Sequence, residues 1–135
     1  MSELEKLIIK WKDSKAQTKK AFMIIMDYII KMKDISFEFK ARPKISYSLR
    51  LKHKNQKNRS FFAIIDIIDD EPNQRWLSIC FYEDMINDPK DLGDMIPQGM
   101  MGEDGYCFDF YEYNEKNIEY IKKRFDQAYL SASNS

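Results

Sequence analysis

The sequence is poor in the residues that break regular structure and in those that build cross-linked or metal-dependent folds. It has four glycines, four prolines, two cysteines and one histidine among 135 residues. Neither cysteine has a second cysteine or histidine at a zinc-ligand spacing, which excludes the common structural zinc motifs. We therefore predict that Cys80 and Cys107 are buried free thiols and that the protein uses no cofactor.

Long apolar runs are also absent. No stretch approaches the roughly 20 apolar residues of a membrane-spanning helix. The segment Met1-Ser2-Glu3-Leu4-Glu5-Lys6 lacks the cationic start and apolar core of a secretion signal. The sequence thus predicts a cytoplasmic protein with no membrane partner.

What is present favours a packed globular domain. The chain is 44% hydrophobic and 14% aromatic, and its length is that of one ordinary domain with its own core. Its zero net charge conceals a division, since residues 1–59 hold 16 Lys or Arg and 6 Asp or Glu, a net of +10. Residues 60–135 hold the reverse, so the division indicates either two halves that fold against each other or a basic surface for an anionic partner.

The first third of the chain has helical periodicity. Apolar residues recur at three- and four-residue steps over residues 4–11 and 22–30. The sequence Ser14-Lys15-Ala16-Gln17 has the form of a capping box. Residues 1–33 therefore predict either one long helix or two helices separated by a break near Asp13 or Ser14.

The middle of the chain changes to a two-residue period. Residues 35–39 and 45–52 alternate apolar with polar side chains, residues 59–68 form a nearly continuous apolar strand, and residues 76–82 follow a short acidic turn. Residues 106–113 predict a further strand, and Asn114 is a suitable N-cap for a last helix over 114–131. The pattern predicts an α+β domain in which an antiparallel sheet of about five strands packs one face against both terminal helices, through Phe22, Ile25, Ile29, Ile121 and Phe125.

Residues 84–105 carry all four glycines and four of the eight methionines. They predict a long loop, and a loop of this length is either functional or a sign of an unrecognised element. In the first case its glycines allow close backbone approach to a ligand, and its methionines suit an adaptable apolar surface. The residues predicted for this ligand site are Trp76, Met100, Met101, Glu103, Asp104, Tyr106 and Phe108.

This order of elements resembles that of the small bacterial proteins called YdhG-like and YjbR-like. The resemblance covers the layout of residues 15–130, which includes the N-terminal helix, the strands over 45–52, 60–68 and 76–82, and the aromatic C-terminal helix. Residues 93–105 lie outside it. Because these families are mostly uncharacterised, the resemblance implies the fold and no catalytic residue.

Evidence for catalysis is thin in the sequence. His53, the only histidine, lies in a lysine-rich turn and is predicted to be solvated. No serine-hydrolase, zinc-protease or redox-cysteine motif occurs, and no catalytic residue is predicted. A metal-assisted hydrolase is an alternative function, and it requires three carboxylates, those of Asp66, Asp70 and Glu103, to converge.

A second alternative is nucleic-acid binding by the basic segment 40–59. Its candidate residues are Arg42, Lys44, Arg50, Lys52, Lys54 and Arg59. Tyr47, the aromatic residue within this segment, falls on the apolar side of its strand, which leaves the cations without a stacking platform and disfavours this alternative.

The function predicted from the sequence is therefore non-catalytic binding of a partner protein or a small apolar ligand. If the N-terminal helix is unbroken, Leu4, Ile8 and Trp11 must find a partner beyond the main core, either another protein or a second copy of the chain.

Overall fold

Three helices and one six-stranded antiparallel sheet make up the computed structural model, which describes residues 2–135. The strand order across the sheet is β1-β2-β3-β4-β6-β5. The helices are α1 (Glu3–Lys10), α2 (Thr18–Ile29) and α3 (Glu115–Ser133), and the strands are β1 (Ile35–Arg42), β2 (Ser46–His53), β3 (Ala63–Ile68), β4 (Trp76–Tyr82), β5 (Asp94–Met100) and β6 (Glu103–Phe110). The predicted α+β class is confirmed, with six strands in place of about five.

The N-terminal helical stretch is broken, as one of the two interpretations predicted. Asp13 caps the second helix, because its carboxylate accepts the backbone N–H groups of Lys19 (3.0 Å) and Lys20 (3.1 Å). The predicted capping box at Ser14 is wrong, since Gln17 occupies the N-cap position in a left-handed conformation and makes no side-chain cap bond. Asp13 thus satisfies donors that a helix start leaves free.

One face of the sheet packs against the helices. Alternate residues of the strands point to this face and are fully or almost fully buried, among them Leu49, Ile65, Leu77 and Phe108. The helix residues predicted to cover the sheet are all completely buried, namely Phe22, Ile25, Ile29, Ile121 and Phe125. The core therefore lies between this face and the helices.

The predicted loop over residues 84–105 is wrong in most of its length. A short 3-10 turn (Glu83–Met85) begins it, and β5 occupies Asp94–Met100 as an edge strand paired with β6. Pro97 and a register shift between Ile96 and Met100 remove the alternation by which a strand is recognised, and an edge position tolerates both.

The first helix is not free for a partner. Trp11 is 3% exposed and lies beside Phe22 with ring centroids 5.7 Å apart. Leu4 and Ile8 are partly buried against the same core. The predicted contact of Leu4, Ile8 and Trp11 with another chain is wrong for Trp11, because its ring fills the core above α2.

Asp88 fastens the segment before β5 to the rest of the fold. Its carboxylate accepts the N–H groups of Leu92 (3.1 Å) and Gly93 (2.8 Å), and the hydroxyls of Tyr106 (2.8 Å) and Tyr120. Burial opposes ionisation of this carboxylate, but the four donors outweigh it, so the pKa of Asp88 lies below its ordinary value.

Two further sequence predictions need correction. Cys80 and Cys107 face each other on β4 and β6 and form a disulfide, because the strand register brings together side chains that are 27 residues apart in the chain. His53 is 5% exposed, with its Nδ1 atom accepting the Asn55 N–H group (3.0 Å) and its ring against Tyr129. Among the described helices, none combines the length and the apolar character needed to cross a membrane.

Candidate functional site

The residues predicted for a ligand site on the 93–105 segment do not converge. Tyr106 and Phe108 point to the helix-covered face, whereas Trp76 points to the opposite face. Met100 is completely buried, and Met101 is 67% exposed at the turn between β5 and β6. No common surface contains all of these side chains.

The glycines of this segment serve the fold. A Cβ atom at Gly93 would lie 2.7 Å from both the Tyr106 and the Phe108 rings, so only glycine fits there. Gly102 adopts a φ of 85° in the β5–β6 turn. Asp104 accepts the Gln98 N–H group (3.1 Å) and so closes the same hairpin.

Glu103, predicted for both a ligand and a metal, is held by Arg59. The guanidinium donates to Glu103 (2.7 and 3.1 Å) and to both oxygens of Asp84 (2.9 and 3.1 Å), and it lies 3.9 Å above the Tyr82 ring. Its hydrogen bonds lower the pKa of Glu103 and of Asp84, and the two carboxylates raise that of Arg59. The charge of Arg59 is thereby neutralised within the chain.

The three carboxylates predicted for metal-assisted hydrolysis also lie apart. Asp66 is level with Asp109 across the sheet, and Asp109 lies six residues from Glu103 along β6, which corresponds to about 20 Å of strand. Asp70 is exposed in the turn after β3. Within residues 2–135, no group of three or more His, Cys, Asp or Glu residues is placed to hold a metal ion.

The surface that remains is the second face of the sheet, here called the open face. None of the described helices covers it, and only the β2–β3 connection folds over one corner, where Phe61 stacks on Tyr82. The strand register arranges its side chains in rows across the sheet. The three best-defined rows are Arg42, Ser46, Ile68 and Trp76; Lys40, Ser48, Asp66, Ser78 and Asp109; and Glu38, Arg50, Ile64, Cys80, Cys107 and Asp94.

Charge on the open face changes sign from one edge to the other. β1 and β2 contribute four cations, Lys40, Arg42, Arg50 and Lys52, against the single carboxylate of Glu38. β6 and β5 contribute Asp109 and Asp94. The charge division of the sequence therefore becomes a gradient in space, because the basic half supplies one edge of the sheet and the acidic half supplies the other.

The centre of the open face has apolar side chains on both sides of the polar pair Asp66 and Ser78. Ile64 and Ile68 on β3 are half-buried, as are Trp76 and Cys80 on β4. Trp76 packs on Tyr111 with ring centroids 4.7 Å apart. An apolar centre with a charged rim is the usual composition of a surface that binds another protein.

A small polar pocket lies between this centre and the basic edge. Its volume is about 140 Å³, and it is lined by Lys40, Arg42, Ser46, Ser48, Arg50, Ile64 and Asp66. Burial raises the pKa of Asp66, against the opposing effects of the Ser48 hydroxyl and of the Arg50 and Arg42 charges. The Nε atom of Arg50 is buried and has no hydrogen-bond partner within the described part of the chain.

The predicted nucleic-acid residues are only partly brought together. Arg42, Arg50 and Lys52 share the open face, whereas Lys54 pairs with Asp34 (3.2 Å). Lys44 lies in the β1–β2 turn with a φ of 71°. Tyr47 points away from these cations, as the sequence predicted, to the side where the Arg75 guanidinium lies 5.6 Å from its ring.

Sequence reasoning missed three members of the pocket, namely Ser46, Ser48 and Ile64, and included Lys40 only as the first residue of the basic segment 40–59. The polar positions of residues 36–42 and 46–52 were visible as alternation, so each strand indicated its wet face. The missing information was the register of β1, β2 and β3, which only strand pairing supplies.

Larger pockets on the surface are weaker candidates for a binding site. One of about 460 Å³ lies between residues 56–59 and the end of α3, and the charged groups in its wall include Arg59 and Glu103, which already pair with each other.

A comparison of the chain with family models, with curated proteins and with solved structures found no match. The resemblance to YdhG-like and YjbR-like proteins therefore stays a prediction.

Proposed function

We propose that this protein is a non-catalytic binding module that binds a partner protein through the open face of its sheet. The observation that carries the proposal is the composition of this face, whose apolar centre lies between a basic edge and an acidic edge. A six-stranded sheet with strands about 4.8 Å apart and about 20 Å long presents roughly 500–600 Å² in projection. This approaches the roughly 800 Å² that each partner contributes to a standard interface.

A small apolar ligand, the other occupant considered for this module, has less support. The pocket beside Phe108 and Tyr120 measures about 100 Å³, below the roughly 300 Å³ at which ligand sites usually begin. A wider pocket of about 320 Å³ beside Phe39 and Tyr47 has four charged side chains in its wall, those of Glu3, Lys6, Lys10 and Arg75. We therefore propose a protein partner, bound at the open face and not at the 93–105 segment.

The direct test is site-specific photo-crosslinking in the native cell. A photoreactive residue replaces Ser78, at the centre of the open face, and in a matched variant it replaces the exposed Lys116 on α3. We expect a discrete protein adduct from position 78 and none from position 116. Equal adducts from both positions, or adducts from position 116 alone, would contradict the proposal.

Nucleic acid is the second candidate, favoured by one observation. Trp76 and Tyr111 lie on the same face as Arg42 and Arg50 and supply the aromatic surface that the sequence seemed to lack. Asp66 and Asp109 on this face oppose it, because they repel a continuous polyanion. Fluorescence anisotropy with a labelled single strand tests it, since nucleic-acid binding must weaken steeply with added salt.

The cytoplasmic and bacterial origin predicted from the sequence belongs to this proposal. The Cys80–Cys107 disulfide of the structure stands against a cytoplasmic location, because a reducing cytoplasm keeps most protein thiols unpaired. The state of this cysteine pair in the cell therefore tests the location. Alkylation of thiols at the moment of cell lysis, followed by mass spectrometry, should then find Cys80 and Cys107 reduced. A disulfide at that moment would place the protein in an oxidising compartment.

A further inference from the structure

The polar pocket on the open face has the size of one phosphate group. Ser46 and Ser48 are small, so a depression of about 140 Å³ is left between the longer side chains around them. At about 30 Å³ for each water molecule, this space equals four to five waters. A tetrahedral oxyanion fits, while whatever it is attached to must lie outside.

The pocket also has hydrogen-bond donors to spare. Arg50 has one anionic neighbour within ion-pair distance, Glu38 at 3.8 Å, and that carboxylate is engaged more closely by Lys52 at 2.9 Å. The buried Nε atom of Arg50 has no partner among the described residues. An unmade hydrogen bond of a buried donor costs about 1–3 kcal/mol, and a guanidinium matches phosphate oxygens in geometry and charge.

Asp66 decides which oxyanion is accepted. It faces Lys40 and Arg42 from β1, Ser48 and Arg50 on β2, and Ser78 on β4, beyond which lies Asp109. An ionised Asp66 repels a fully charged anion but accepts a hydrogen bond from one that keeps a proton. A phosphate monoester, with its second pKa near 6, keeps a proton in part of its population near neutral pH. Sulfate and phosphodiesters do not.

We propose that this pocket binds the phosphate group of a monoester through Arg42, Arg50 and the hydroxyls of Ser46 and Ser48, with one proton shared between the phosphate and Asp66. The inference goes beyond the protein-binding function, because it requires no partner to be identified. A phosphorylated side chain and a free small phosphate ester have this chemistry in common. Nucleic acid does not share it, since its backbone is a diester.

The first experiment titrates the protein with inorganic phosphate and, separately, with sulfate, and follows backbone amide signals by NMR. We expect phosphate to shift the signals of residues around Ser48 and Asp66 and to bind about tenfold more tightly than sulfate near pH 6.5, a difference of about 1.4 kcal/mol. Phosphate affinity should fall as pH rises, by up to about tenfold per pH unit for one shared proton.

Three variants separate this site from general attraction to a basic surface. Arg50→Gln should weaken phosphate binding by about tenfold or more. Lys54→Gln removes an exposed cation that pairs with Asp34 and does not line the pocket, and it should change phosphate binding by less than about twofold. Asp66→Asn should tighten sulfate binding and remove the pH dependence, since an amide carries no charge. Unchanged amide spectra outside the pocket establish that each variant is folded.

Opposite results overturn the proposal. Equal binding of sulfate and phosphate by the native protein would show that no proton is shared with Asp66. Equal losses in Arg50→Gln and Lys54→Gln would show that phosphate is attracted by the general positive charge and not by the pocket. Dimethyl phosphate binding as tightly as phosphate would favour a diester backbone. A phosphoserine peptide compared with glycerol phosphate then identifies the source, because tighter binding of the peptide indicates a phosphorylated partner and equal binding indicates a small molecule. The protein-binding proposal is tested apart from these titrations, by the crosslinks from position 78.

Discussion

The two faces of this sheet are built by the same strands but from different kinds of side chain. On β3, Ile65 is completely buried beneath the helices, whereas its neighbours Ile64 and Asp66 lie on the open face in partial contact with solvent. The helix-covered face is apolar throughout the centre of the sheet, while the open face mixes cations, serines, carboxylates and a few apolar groups. The apolar pattern of the helix-covered face forms the core, and the side chains of the open face are therefore available for binding.

The largest effect should come from truncating the helix-covered face. Ile65→Ala removes a completely buried side chain and should lower the free energy of unfolding by about 3–4 kcal/mol through lost burial and a residual cavity. Ile64→Ala, the same change one residue away on the open face, should cost about 1 kcal/mol. Urea unfolding of both variants measures the difference, and equal losses would show that the open face is also part of a core.

The disulfide on the open face should give the next effect. A bridge between residues 27 apart restricts the unfolded chain and should contribute about 3 kcal/mol. The double variant Cys80→Ser, Cys107→Ser should therefore unfold at a lower urea concentration than the oxidised native protein. In the presence of a reductant, the native protein loses its disulfide, and the two proteins should then have similar stability. If reductant leaves the native protein unchanged while its thiols become free, the bridge contributes nothing to stability.

A single hydrogen bond on the helix-covered side should have a smaller effect. Tyr106→Phe removes the hydroxyl donated to the ionised carboxylate of Asp88 (2.8 Å) and should cost about 1.5–2 kcal/mol, the lower part of the range for a hydrogen bond to a charged group. Tyr111→Phe on the open face, whose hydroxyl is 3.4 Å from Asp109, should give no measurable change in the urea midpoint. The hydrogen bond to Asp88 also raises the pKa of Tyr106 to about 12, as the hydrogen bond to Asp126 does for Tyr28. Both tyrosines should therefore titrate late in the ultraviolet spectrum, and the late phase should lose one tyrosine in Tyr106→Phe.

The smallest effect is a pH dependence assigned to Asp66. Because burial raises its pKa in the folded state, the folded protein binds this proton more tightly than the unfolded chain does. Stability from this group is therefore fully present at low pH and declines as pH rises above the ordinary pKa of an aspartate and through the raised value. Asp66→Asn should be more stable than the native protein at pH 7, and the gap should close towards pH 4. A gap that widens on acidification would show that Asp66 is stabilised as an anion.

Sequence reasoning succeeded where one element carries its own signal. The alternation over 35–39 and 45–52 identified strands with one wet face, and the periodicity of residues 22–30 identified a buried helix. It failed at β5, since Pro97 and Gly99 resemble a loop and the strand is stabilised by its partner β6 rather than by its own preference. The prediction for Trp11 was wrong for a related reason. The helical periodicity of residues 4–11 shows that one side of the helix is apolar, but it does not show what covers that side.

The candidate site was less accessible to sequence reasoning than the fold. Arg42 and Arg50 were identified as basic candidates, and Asp66 was noted as a carboxylate that interrupts an apolar strand. Nothing in the sequence joined them, because their positions relative to one another depend on the register of three strands. The serines between them carried no signal at all, since a small polar residue on a wet strand face is ordinary until its neighbours are known.

The sequence by itself determined all the helices and strands except β5, the wet and dry sides of β1 and β2, and the separation of charge between the two halves of the chain. Each of these follows from local periodicity or composition, in which a residue and its near neighbours suffice. Only the tertiary structure decided that the basic half forms one edge of the sheet and the acidic half the other, that Cys80 meets Cys107, and that Arg50, Ser48 and Asp66 surround one pocket. These depend on strand order and register, where a shift of one residue turns every side chain to the opposite face.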